Sequence, residues 1–181
     1  MDKYKLKFTK LQNEIFRLLS IKTGEKMSQR QIAKLLEVSP TAISKSLPLL
    51  EKEQLIKIEK DKIIKVSYIS LNRDSEKATY NKRIENLKLI YDSEIINHLE
   101  EKLPGSTIIL FGSYSNGEDT TTSDIDIAII GRKPKQVNLE KFEKFLEREI
   151  NINFYDSLNE IHENLKNNIL GGILLVGYIS K

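Results

Sequence analysis

Two aspartates one residue apart head the apolar run Asp124-Ile125-Asp126-Ile127-Ala128-Ile129-Ile130. Alternation of carboxylate with isoleucine fits a strand, on which side chains at i and i+2 share a face. Two unpaired carboxylates projecting together repel each other and raise their pKa values unless a cation joins them. With no Cys or His beside them, their hard oxygens suit Mg2+ or Mn2+, and Mg2+ commonly takes one or two carboxylates plus phosphate oxygens. That combination points to a nucleoside triphosphate. Upstream, Thr107-Ile108-Ile109-Leu110-Phe111 predicts a buried strand that stops at Gly112-Ser113. Without a Cβ, Gly112 lets phosphate oxygens reach backbone N–H groups, and Ser113 adds a hydroxyl donor. A helix starting at Tyr114 to Asn116 would add its N-terminal N–H groups.

The stretch FGSYSNGEDTTTSDIDIAII resembles the signature of the nucleotidyltransferase superfamily related to DNA polymerase β, in its minimal form. The resemblance implies that Gly112 and Ser113, with Ser123, hold the nucleotide phosphates. It also implies that Asp124 and Asp126 bind the metal ions, as catalytic residues, and that a third carboxylate sits on a later strand. That strand reads Glu149-Ile150-Asn151-Ile152-Asn153-Phe154-Tyr155, so asparagine stands there instead. Asn153 is the expected occupant, with Asn151 the second choice. An amide keeps one carbonyl oxygen but has neither charge nor basicity. Two outcomes stay open: a slow or specialised transferase, or a domain that binds nucleotide and Mg2+ without efficient transfer.

These residues need two strands, a covering helix over Leu139 to Glu149, the asparagine strand, and a last helix and strand entered through Gly171-Gly172. The expected C-terminal domain, 104–181, is therefore a small mixed β-sheet with helices packed on it. Residues 73–103 read as a helical linker, with Ile84, Leu87 and Ile90 facing inward and Tyr80 and Tyr91 as packing residues. His98 and His162 lack a partner for catalysis or metal binding, and Arg132-Lys133-Pro134-Lys135 reads as a solvated loop.

The N-terminal region differs in charge. Residues 1–72 carry 15 Lys+Arg against 8 Asp+Glu, net +7, which leaves 14 against 18, net −4, for the rest. Such asymmetry suggests a nucleic-acid-binding module joined to something else. Leu11, Ile15, Leu18 and Leu19 predict an amphipathic helix capped by Thr9; Ser28 caps a second through Leu36; Ser39-Pro40 opens a third with Ile43, Leu47 and Leu50 inward. Two β-rich runs, Leu55–Glu59 and Ile63–Tyr68, flank a hairpin turn at Lys60-Asp61-Lys62. The stretch SQRQIAKLLEVSPTAISKSLPLLEKEQLI resembles winged helix-turn-helix transcription regulators. The resemblance implies DNA binding over 1–72 by the helix that starts at Ser39, with Thr41, Ala42, Ser44 and Lys45 toward the bases and Lys60 and Lys62 toward phosphates. The sequence departs from that pattern at Glu37, in the turn usually held by glycine, and at Pro48, which should kink or shorten its helix.

The fold class expected is thus α+β, a winged helix joined to a nucleotidyltransferase domain. Its partners would be DNA, an NTP, and a protein or RNA acceptor. Small relatives of this kind look like antitoxins that modify a toxin, and palindromic DNA would favour a homodimer. The absence of cysteine excludes disulfides, thiolate metal sites and cysteine nucleophiles. The longest mainly apolar stretch, Ile169 to Ile179, covers 11 residues with three glycines, short of the ~20 a membrane helix needs. Lys3, Lys5, Lys7 and Lys10 lead into a polar segment unlike a signal peptide, and a cytoplasmic location is expected.

Overall fold

A computed structural model describes residues 6–61 and 66–179. The chain forms two compact units, divided after Lys82. In the N-terminal unit, α1 (Lys10–Ile21) and α2 (Gln29–Leu35) each begin with a capping box, Thr9 with Gln12 and Ser28 with Gln31. In each box side chain and backbone satisfy each other's exposed N–H groups. The third helix, α3 (Pro40–Lys52), has Ser39 as its N-cap. It runs on through Pro48, which is exposed. The expected shortening does not occur, because the proline ring points to solvent and Leu47 and Leu50 on either side remain anchored in the core.

Glu37, in the turn between α2 and α3, has φ of 53°. The turn needs the left-handed region that glycine adopts freely, and here an exposed glutamate takes it. Strands β2 (Ile56–Lys60) and β3 (Ser67–Leu71) pair antiparallel, and the short β1 (Met27–Ser28) completes the sheet on β3. Of the second strand expected from Ile63, residues 63–65 lie outside the described residues, as does Lys62. Ile15, Leu19, Ile32, Ile43, Leu50 and Ile69 are fully buried in a common core. Helix, short strand, helix, helix and hairpin make a winged helix.

Glu53, at the end of α3, accepts hydrogen bonds from Lys7 and Lys77, which lower its pKa from 4.5 to about 2. The folded state then binds fewer protons than the unfolded chain, so the pair of lysines stabilises above pH 4.5 and the effect fades as pH falls towards about 2. Urea unfolding should show Glu53→Gln less stable than wild type near neutral pH, with the two curves converging in that acid window.

The helix α4 (Glu76–Asp92) contains the division between the units. Its buried positions in the C-terminal unit are Asn86, Leu89 and Ile90, whereas Ile84 and Tyr91 are exposed, and Tyr80 is exposed as well. The expected inward set is thus corrected for Ile84, and the two tyrosines are not packing residues. Polar Asn86 takes the inward place for a reason given below.

After α5 (Ile95–Lys102) comes a four-stranded mixed sheet of order β6-β5-β4-β7: β4 (Thr107–Phe111), β5 (Ile125–Ile130), β6 (Ile150–Tyr155) and β7 (Ile173–Val176). Strands β4 and β5 are antiparallel, β5 and β6 parallel. Between them stand α6 (Gly112–Asn116), α7 (Glu140–Leu146) and α8 (Glu163–Leu170). One sheet face carries Ile109, Phe111 and Ala128, covered by Ile161 and by Ile169 of α8. On the other face Ile108, Leu110, Ile125, Ile127 and Ile129 are fully buried. The basic segment after β5 is not simply solvated: Arg132 donates to the carbonyl of Pro104 (2.7 Å) and Lys135 to that of Lys102 (2.8 Å). Cations at a helix C-terminus satisfy its last carbonyls.

Candidate functional site

The antiparallel register of β4 and β5 sets Phe111 opposite Asp126, so the chain leaves β4 into Gly112 right beside a carboxylate. Gly112 has φ of 75°, and a Cβ built there would lie 2.6 Å from Asp126 Oδ2. The turn can approach the acid only because the side chain is absent. Helix α6 begins at once, and Phe111 at its N-cap offers no side-chain acceptor. Ser113 is half-exposed on its first turn.

Asp124 lies just ahead of β5 and is exposed, while Asp126 is half-buried. Burial, then the charge of Asp124, hold the Asp126 carboxyl above its ordinary pKa, against a hydrogen bond from Asn151. Burial and Asp126 likewise push the Tyr155 phenol up. Ser123 turns its hydroxyl inward to the loop, accepting the Thr120 N–H at 3.0 Å, so it shapes the turn before Asp124. A cleft of about 490 Å³ opens beside Asp124, lined by Thr121, Thr122, Ser123, Glu143 and Glu149 among others. A larger cleft, about 610 Å³, lies around Pro104 and Tyr178 and includes none of the candidate site residues.

The asparagine strand corrects an expectation. Parallel pairing sets Asn151 beside Asp126, and Asn151 Nδ2 donates to Asp124 Oδ2 at 3.0 Å. Asn153 pairs with Ala128, two residues or roughly 6.6 Å further along the strand. Asn151, not Asn153, accompanies the acids. Alternation puts both asparagines on the same face and leaves a two-residue ambiguity that only the strand register removes.

The donor set fits a hard divalent cation: two carboxylates converge, burial and the neighbouring charge raise the pKa of one, and the Gly112 backbone packs close against that carboxylate because it has no Cβ. Among the described residues no group of three His, Cys, Asp or Glu side chains is placed to hold a metal ion. Glu149 and Asp156 are exposed at the ends of β6. His98 is half-buried against the Phe142 ring, 5.0 Å between centroids, and His162 is the residue before α8 rather than inside a helix.

In the N-terminal unit Thr41, Ser44 and Lys45 are exposed on the first turns of α3, Ala42 is half-buried, and Lys60 is exposed at the end of β2. The Ser39 hydroxyl accepts the Ala42 N–H at 3.1 Å. In the same unit a groove is lined by Lys26, Arg30, Gln31 and Tyr68, which the helix-turn-helix pattern does not single out. Their only signal in the sequence was the basic charge around the second helix.

The C-terminal unit thus sets a Gly-Ser turn against an Asp-x-Asp strand within a mixed sheet. Residues 92–175 match the family model described as Nucleotidyltransferase domain. No curated protein matches the chain. Among solved structures, it is similar to ZitR of Lactococcus lactis, a zinc-responsive MarR family member, at 24% identity over 58% of this chain and 69% of that one, with a TM-score of 0.42. It is also similar to the adhesin competence repressor AdcR of Streptococcus pyogenes, at 24% identity over 57% and 72%, TM-score 0.43. MepR of S. aureus matches at 22% over 54% and 67%, TM-score 0.40. The winged-helix assignment rests on the unit's own element order and pairing, not on these likenesses. Among the described residues, no helix is long and apolar enough to cross a membrane.

Proposed function

We propose that the C-terminal unit binds an NTP, ATP foremost, with Mg2+ or Mn2+, and transfers its nucleoside monophosphate to a protein or nucleic-acid acceptor. The observation that carries this reading is Gly112 packed against Asp126 with Asp124 alongside. Gly112 and Ser113 receive the β and γ phosphates through N–H groups and hydroxyl. Asp124 and Asp126 hold the cation, which when bound neutralises charge on the entering and leaving oxygens. An acceptor hydroxyl gives up its proton to solvent as its oxygen bonds to the α-phosphorus, the bond from that phosphorus to the bridging oxygen breaks, and pyrophosphate leaves. Asn151 contributes an amide where the family resemblance calls for a carboxylate, so it cannot take the acceptor's proton.

The N-terminal unit, in this reading, binds DNA through α3, with Thr41, Ser44 and Lys45 in the major groove and Ser39 and Lys60 near the backbone. Together they describe a cytoplasmic, antitoxin-like modifier that regulates its own transcription, as a homodimer on palindromic DNA. Asn151 favours a second reading, a transcription regulator whose transferase domain senses a nucleotide without efficient transfer.

Incubation of the full-length protein with labelled ATP, Mg2+ or Mn2+ and cell extract separates the two. Label in protein or RNA that disappears in Asp124→Ala with Asp126→Ala supports transfer. Calorimetric ATP binding without label supports the sensor. ATP binding that survives in the double variant sinks the site itself. A mobility shift on genomic fragments at low salt, weakened by Lys45→Ala, is the matching result for DNA.

A further inference from the structure

The family match begins at residue 92, but the C-terminal unit begins at Arg83, and a buried amide lies between those two points. Asn86, 2% exposed, uses its side-chain nitrogen twice: it donates to the Tyr114 carbonyl at 2.9 Å and to Asp119 Oδ1 at 2.7 Å. Asp119, 1% exposed, faces Arg148, whose NH2 stands 3.5 Å from Asp119 Oδ2. Arg148 NH1 also donates to the Glu147 carbonyl at 2.8 Å.

This chain of contacts joins three segments. Tyr114 belongs to α6, whose first residues are Gly112 and Ser113. Asp119 lies in the loop that leads to Asp124, and Arg148 lies two residues before β6, the strand that carries Asn151. A buried amide and a buried ion pair cost desolvation that apolar side chains would not, so stability alone is a weak reason for them. A five-residue helix has little stability of its own, and Gly112 must stay in close contact with Asp126 for the phosphate turn and the acids to converge.

We infer that Asn86, with Asp119 and Arg148, forms a positioning network that holds the Gly112-Ser113 turn, Asp124 and Asn151 in mutual register for nucleotide binding. None of the three is a catalytic residue; they act through the segments they tie together. The inference rests on the nucleotide-binding reading above.

The test uses the full-length protein and three variants, Asn86→Ala, Asp119→Asn and, as the reference for the site, Asp126→Ala. Titration calorimetry with ATP and Mg2+ is paired with thermal unfolding and with amide hydrogen exchange. Asn86→Ala should weaken ATP binding by about tenfold, a usual cost for losing an outer-shell partner. Asp119→Asn keeps the volume and the Oδ1 acceptor but loses the charge facing Arg148, and should weaken binding by a smaller factor. Exchange should quicken in α6 and the following loop in both, with β4 unchanged. If Asn86→Ala does not fold, Asp119→Asn decides. Folded variants that bind ATP as wild type does, while Asp126→Ala does not, overturn the network. Lower thermal stability with unchanged affinity also overturns it, in favour of a purely structural role. Unchanged binding in Asp126→Ala overturns the nucleotide site, and the network's role with it.

Discussion

Gly112→Ala is expected to abolish ATP binding while leaving the winged helix folded. The new methyl would occupy a point 2.6 Å from Asp126 Oδ2, and the backbone there has φ of 75°. Left-handed backbone costs an ordinary residue roughly 1–2 kcal/mol. The clash adds to this, because the carboxylate must swing away or the turn must retreat. Either movement separates the Gly112-Ser113 turn from the acids. Calorimetry should show at least a hundredfold loss of affinity, about 2.8 kcal/mol at 1.4 kcal/mol per decade. Circular dichroism should retain the wild-type helical signal. A Gly112→Ala protein that binds ATP with wild-type affinity would remove the turn from the site.

The second large effect is a gain. Asn151 sits beside Asp126 and donates to Asp124, so Asn151→Asp would replace a neutral donor with a third carboxylate at hydrogen-bonding distance from the first. Without a divalent cation the three charges repel, and the thermal midpoint of the C-terminal unit should fall. With Mn2+ the order should reverse, because a ligand that binds only the folded state stabilises it by mass action. Metal affinity should rise by about ten- to a hundredfold, the range reached when a single coordinating or supporting group changes. The crossing of the two melting curves with and without Mn2+ is the diagnostic result, and it needs no acceptor. If the variant gains neither metal affinity nor metal-dependent stability, Asn151 does not occupy the position of the missing carboxylate.

Much of this architecture was legible in the chain. Thr9, Ser28 and Ser39 marked helix starts because a side-chain oxygen before an apolar periodic run has a definite task there, and all three cap the helices expected of them. The strands on either side of Gly112 were legible because β-branched runs five or six residues long are too short for helices and too apolar for loops. What could not be read was register. The choice between Asn151 and Asn153 depends on how β6 slides along β5, and a period of two gives no signal for a shift of two. The inward face of α4 was obscured for a different reason. Hydropathy favours Ile84 over Asn86, whereas the fold buries Asn86 because two acceptors, from segments 28 and 33 residues away, wait for its amide. The short β1 pair was likewise invisible, since two residues carry no periodicity.

The location of Asn86 also bears on how such a protein can be cut and recombined. The segment recognised as the family, 92–175, is not the transplantable module of this chain. A fusion begun at residue 92 would carry the Gly112-Ser113 turn and the acids but leave behind the amide that binds the Tyr114 carbonyl and Asp119. A cut after Lys82, where the units divide, keeps the donor with its acceptors. A helix that reads as mere spacer therefore supplies part of the C-terminal unit's interior, and chimeras or gene fusions that treat it as an exchangeable hinge would pass on an incomplete fold.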